Sequence, residues 1–176
     1  PEAGIVTLNH SFLRQLLTSG HGTSYSAPML ANRAAHLLRR FPWASSNLIR
    51  ALLVGAATLP APARQLLAAL GEDDTARICG NGQVDTLRAA YSDDNRVVLY
   101  AEDRIEINQF AVYRVPIPPE FQGNGRRTIR VSLAFNPPVR RTRAEYIGTK
   151  MNFRLLRGCE IEEVFEHFRA RGADEG

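Results

Sequence analysis

The chain has 176 residues, 44% of them hydrophobic and 23% charged, a globular make-up that excludes collagen-like, low-complexity and wholly disordered polypeptides. Twenty-two basic against 18 acidic side chains leave a formal charge of +4, and Lys150 is the one lysine, so arginine carries it. An excess that small does not specify a nucleic-acid partner, and no run approaches the roughly 18 uninterrupted apolar residues of a membrane span, so neither partner is expected.

The opening PEAGIVTLNH has neither the basic start nor the apolar run of a secretory signal and does not begin with Met, so the chain reads as a fragment. From Pro28, the residues Met29, Leu30, Ala34, Ala35, Leu37 and Leu38 recur at helical spacing and end at Arg39, Arg40 and the Phe41-Pro42 stop. Alanines at 31, 34 and 35 give this helix a small-residue face, which predicts a central rather than peripheral position. A second helix should start at the Ser45-Ser46-Asn47 cluster and carry Leu48, Ile49, Leu52, Leu53 and Ala56. Pro60 and Pro62 break the chain and open a short third helix, Arg64 to Leu70, stopping at Gly71. Glu72 to Asp74 reads as a solvated turn.

Near residue 95 the composition changes to short alternating runs of Val, Ile, Phe, Tyr and Pro. Thr128 to Phe135 places Ile129, Val131, Leu133 and Phe135 on one face and predicts a strand, as do Arg96–Ala101, Phe110–Val115 and Lys150–Leu156. No helix-length segment separates them, so an antiparallel β-sandwich-like domain is expected. Turns such as Gln122-Gly123-Asn124-Gly125 would join its strands. After Gly158, Ile161, Val164, Phe165 and Phe168 form a helical stripe with acids at 160, 162 and 163 near its start. The division is thus 1–92 helical, 93–158 β-rich, and 159–176 a closing helix and tail, α+β as a whole.

The chemistry concentrates in Gly20-His21-Gly22-Thr23-Ser24-Tyr25-Ser26-Ala27-Pro28, ahead of the first helix. Small residues entering a helix can present a hydroxyl where backbone N–H groups and the helix dipole face a developing negative charge. For the bare pattern, simple capping of the helix by Thr23, Ser24 or Ser26 is the favoured reading, and spacing alone does not decide the matter.

The stretch Gly22 to Pro28 resembles the serine signature of subtilisin-like proteases: GTS, two residues, a small residue, then Pro. The likeness continues in the alanine-rich helix, in Pro42 followed by Ile49-Arg50-Ala51-Leu52-Leu53, and in Gly80-Asn81-Gly82-Gln83-Val84-Asp85 with Ala89-Ala90. It covers residues 20 to 90. His21-Gly22-Thr23 also spells the start of the family's histidine motif, but Pro28 and the two following helices fit the serine block alone, so His21 is a neighbour of the nucleophile rather than the base. More weakly, Arg130 to Pro138 resembles the β-domain appended to many bacterial subtilases.

The resemblance implies that this is the C-terminal part of a subtilisin-like α/β catalytic domain and that Ser24 is its nucleophile. It also implies that the catalytic Asp, His and oxyanion Asn lie in a missing N-terminal part, leaving the fragment inactive alone, since serine without a positioned base is a weak nucleophile. A protein or peptide substrate follows from the same likeness. The small-residue helix would be buried against strands of the missing part, so an isolated fragment should expose apolar surface and associate. The alternative is a protease-derived module, without activity, that binds a protein or nucleic acid.

His10, His36 and His167 stand alone and read as structural. The pairs Asp73-Asp74 and Asp93-Asp94 suit turns better than acid–base or calcium chemistry. Arg126-Arg127 and the cluster Arg140, Arg141 and Arg143 flank the clearest strand and read as a solvated sheet edge. Cys79 and Cys159 lie 80 positions apart with no zinc-like spacing; one long disulfide or two thiols are open, thiols being favoured, and no metal or cofactor is expected.

Overall fold

The computed structural model describes residues 4–122, 127–139, 142 and 148–174. It is α+β, and it divides into two units, residues 1–100 and 101–176.

The first unit opens with an antiparallel hairpin that the sequence reading did not anticipate. Strand β1 (Ile5–Leu8) pairs with β2 (Leu17–Gly20), Ile5 opposite Gly20 and Leu8 opposite Leu17. Asn9 N–H donates to the Leu16 carbonyl at 3.0 Å, and the Asn9 side chain accepts from Ser11 N–H at 3.0 Å, which starts the connecting turn.

Helix α1 (Thr23–Arg40) follows. It ends as expected: Arg39 and Arg40 lie at its negative end, and Phe41 N–H bonds the Leu37 carbonyl at 2.8 Å before Pro42 stops the run. Helix α2 (Ser46–Ala56) starts where the capping cluster predicts, with Ser45 Oγ accepting from the N–H groups of Asn47 and Leu48 at 3.2 and 3.3 Å.

Beyond α2, β3 (Ala57–Thr58) pairs antiparallel with β4 (Gln83–Val84), and the chain between them forms α3 (Ala61–Leu66) and α4 (Glu72–Cys79). Helix α3 ends earlier than its apolar residues suggest. The acids read as a solvated turn, Glu72, Asp73 and Asp74, instead form the first turn of α4, where they face the helix's positive end. The turn reading failed because α4 has too few apolar residues to show a stripe. Gly82, at φ 93°, lies so close to the Thr58 backbone that a Cβ would meet its carbonyl at 2.5 Å; the glycine permits the β3–β4 approach. Asp85 then caps α5 (Thr86–Ala90), accepting from Leu87 and Arg88 N–H at 2.9 and 3.2 Å.

The core of this unit is Leu37 and Phe41 at the end of α1, Leu48, Ile49, Leu52, Leu53 and Ala56 of α2, and Ala89 of α5. Leu37 is fully buried. Only one side of α1 is covered: Ala34 packs on this cluster, whereas Ala31, Ala35, Met29 and Leu30 are exposed. Within this unit α1 is therefore peripheral, since α2 and α5 are too few to cover both of its apolar sides. The Asp93-Asp94 segment is a turn, as expected, held by an Asp93–Arg96 ion pair at 3.0 Å and by Asn95 N–H on the Asp93 carboxylate at 3.1 Å.

In the second unit, α6 (Ile161–Asp174) lies where its stripe predicts, with Val164 buried. Phe110 stacks on Phe168 with ring centroids 4.7 Å apart and meets Phe165 at 5.4 Å. Pro119–Gln122 makes one turn of 3-10 helix. The structure shows no β-sandwich: among the described residues, Arg96–Ala101, Phe110–Val115, Thr128–Phe135 and Lys150–Leu156 join no strand ladder beyond the Asp93–Arg96 bridge. Their alternating rows are present but half open to solvent, Ile129, Val131 and Leu133 being 43–44% exposed. Alternation makes a strand only when a neighbouring strand and an apolar surface receive it. The turn residues Gly123, Asn124 and Gly125, and Arg126, Arg140, Arg141 and Arg143, lie outside the described residues.

Candidate active site

Ser24 is the second residue of α1 and is exposed. The residue ahead of the helix is Gly22, at φ 130° and ψ 161°, a backbone conformation that side-chain-bearing residues rarely adopt. With glycine at the cap, no side chain closes the first turn. Capping by Thr23, Ser24 or Ser26 therefore does not account for the hydroxyls of the motif. Tyr25 N–H turns back to the Gly22 carbonyl at 3.1 Å, while the N–H groups of Thr23 and Ser24 lie in the turn that has no intrahelical acceptors.

Pro28 sits four residues after Ser24, so the Ser24 carbonyl lacks the N–H that would normally bond it. Ser24 thus stands in a loosened first turn, with no acidic residue in that turn to offset the helix's partial positive charge. Such a position favours negative charge on an oxygen beside Ser24. Tyr25 packs backwards: its ring occupies the space a Cβ on Gly20 would take, 2.6 Å away, so the tyrosine braces the end of β2.

Among the described residues, Ser24 Oγ has no hydrogen-bond partner. The four histidines are exposed, and none is bonded to it. His21 precedes the cap, while His36 lies twelve residues along the same helix, about 18 Å from Ser24 at 1.5 Å per residue. Each candidate carboxylate pair has local work: Asp74 pairs with Arg77 at 3.8 Å, and Asp93 with Arg96. Cys79 and Cys159 are free thiols, half-buried and exposed respectively. No group of three His, Cys, Asp or Glu side chains among the described residues is placed to hold a metal ion, and no described helix is long and apolar enough to cross a membrane.

One supporting residue escaped the sequence reading. Half-buried Arg33, a turn before Leu37, donates from Nη1 to the Val84 carbonyl, tying the serine-bearing helix to β4. A lone arginine between alanines on the small-residue face is its signal. Together with the α1–α2–α5 core, this bond joins the three sequence blocks around residues 22–28, 49–53 and 80–90 in one unit.

Residues 3–82 match the model of the Subtilase family of S8 peptidases. Among curated proteins, the uncharacterized protein y4bN of Sinorhizobium fredii is 53% identical over 177 residues, an alignment that takes in all of this chain and 41% of that protein. The chain therefore spans about two fifths of that relative's length. No solved structure matches it. Over residues 3–82, the chain is related to the subtilisin-like S8 peptidases.

Proposed function

We propose that this chain carries the nucleophile of a serine endopeptidase, Ser24, and acts in peptide-bond hydrolysis together with a further part of a longer polypeptide. The observation that carries the reading is the exposed, uncapped start of α1: among the described residues the Ser24 side chain has no hydrogen-bond partner, and the open N–H groups and dipole of the helix sit beside it. The relationship of residues 3–82 to subtilases supports it, and so does a relative more than twice as long.

In the reaction, Ser24 Oγ forms a bond to the scissile carbonyl carbon as its proton passes to a histidine. The C–N bond then breaks, and that proton leaves with the amine. Ser24 N–H supplies one donor to the carbonyl oxygen as it becomes an oxyanion. Water, deprotonated by the same base, cleaves the ester and restores the serine. The base and its orienting carboxylate are assigned to the part of the longer polypeptide outside this chain, because no histidine here is bonded to Ser24. Alone, this chain should therefore be inert toward peptides.

The test is intact-mass analysis after treatment with a fluorophosphonate, on this chain and on the full-length protein, each with its Ser24→Ala variant. One adduct on the full-length protein, absent from S24A and from this chain alone, is expected. Labelling elsewhere would refute the assignment, and no labelling of either would favour a protease-derived binding module.

A further inference from the structure

Where α1 ends, three aromatic rings of the first unit meet at its surface. Phe41, rooted in the core, is edge-on to Trp43 (centroids 5.9 Å, planes at 72°) and to Tyr100 (5.4 Å, 65°). Trp43 and Tyr100 stand 5.8 Å apart, tilted by 37°, and are 61% and 46% exposed. With the buried Phe41 they form a partly exposed aromatic patch. The Arg40 guanidinium lies over the same Phe41, 5.4 Å from its ring and 5.5 Å from that of Tyr91. Among the described residues, neither the Trp43 indole N–H nor the Tyr100 hydroxyl has a hydrogen-bond partner. Exposed rings carrying unused donors fit a ligand with apolar ridges and bare carbonyls.

The same sequence contains such a ligand in Arg114-Val115-Pro116-Ile117-Pro118-Pro119-Glu120. Three prolines fix their own φ and push each preceding residue toward extended backbone, so Val115 to Pro118 is held in polyproline II form before any contact is made. Residues 115–119 are exposed, and 115–118 belong to no helix or strand. Prolines donate nothing, whereas among the described residues the carbonyls of Val115, Pro116 and Ile117 have no backbone partner. In sequence, the acidic Glu120 directly follows the prolines, matching the charge of Arg40.

We propose that the Phe41–Trp43–Tyr100 patch is a polyproline docking site and that its occupant is the 115–119 segment of a second copy of this chain. The prolines lie against the exposed surfaces of the Trp43 and Tyr100 rings, and a carbonyl of the segment accepts from the indole N–H. Pre-ordered backbone keeps the entropic cost of docking small.

Trp43 is the chain's one tryptophan, so its emission reports on the patch directly. A peptide of residues 114–120 titrated into the chain should shift that emission saturably, and the same peptide with Pro116→Ala and Pro118→Ala should bind at least about tenfold more weakly. A Tyr100→Ala chain keeps the reporter and should lose about threefold to tenfold in affinity, the worth of one aromatic contact. In sedimentation, the chain should associate with rising concentration, and the P116A/P118A chain, altered far from the core, should need correspondingly more protein. Emission unmoved by millimolar peptide, an equal response to both peptides, or association unchanged by P116A/P118A would each overturn the proposal.

Discussion

Leu37 decides how the serine-bearing helix is seated, and replacing it by alanine isolates that contribution. The side chain is fully buried among Phe41, Leu48, Ile49, Leu52 and Ala89, whereas Leu38, the next residue of the same helix, is 44% exposed. Removing three carbons from a buried leucine costs about 2.4 kcal/mol at about 0.8 kcal/mol per group. A residual cavity of about 50 Å³ adds about 1.2 kcal/mol, giving about 3.5 kcal/mol for Leu37→Ala. For Leu38→Ala, already half in water and leaving no cavity, about 1 kcal/mol is expected. The helix-propensity change is the same for both, so the difference of about 2.5 kcal/mol, roughly 70-fold in the unfolding equilibrium, belongs to packing. Urea unfolding followed by helical circular dichroism, on both variants and the parent, measures it. Equal losses for the two leucines would show that α1 is not seated on α2 and α5 through Leu37, and the placement of Ser24 relative to the Gly80–Asp85 segment would fall with it.

Two further predictions rest on single contacts. Ser45→Ala removes the acceptor shared by the Asn47 and Leu48 N–H groups and should destabilise the first unit by about 1 kcal/mol; Ser45→Gly should cost only a few tenths, and an equal loss for both would argue against the cap. The Tyr113 phenol is held above its ordinary pKa near 10, first by partial burial and then by the neighbouring Asp103 carboxylate, to which its hydroxyl donates. Because the folded value is the higher one, its contribution is complete below about pH 10 and is lost as pH rises through the folded value. Tyr113→Phe should therefore flatten the alkaline fall in urea midpoint above about pH 10, and an identical fall in both proteins would exclude the contact.

What the sequence determined by itself is what neighbouring residues enforce on one another. Ser45 before an apolar repeat places the start of α2, Phe41-Pro42 the end of α1, and the 161–168 stripe the position of α6, because capping, proline sterics and helical spacing act within a turn or two. The serine motif was legible for the same reason, as a contiguous run from Gly22 to Pro28. Tertiary structure decided what depends on distant partners. It placed the cap at Gly22 rather than at a hydroxyl, selected which side of α1 is covered, and tied Arg33 to Val84, 51 residues away. It also withheld the ladders that Ile129, Val131 and Leu133 foreshadow, because a strand takes its hydrogen bonds from another segment. Likewise, a serine takes its base from wherever the fold brings a histidine, and alternation or motif alone cannot name that partner.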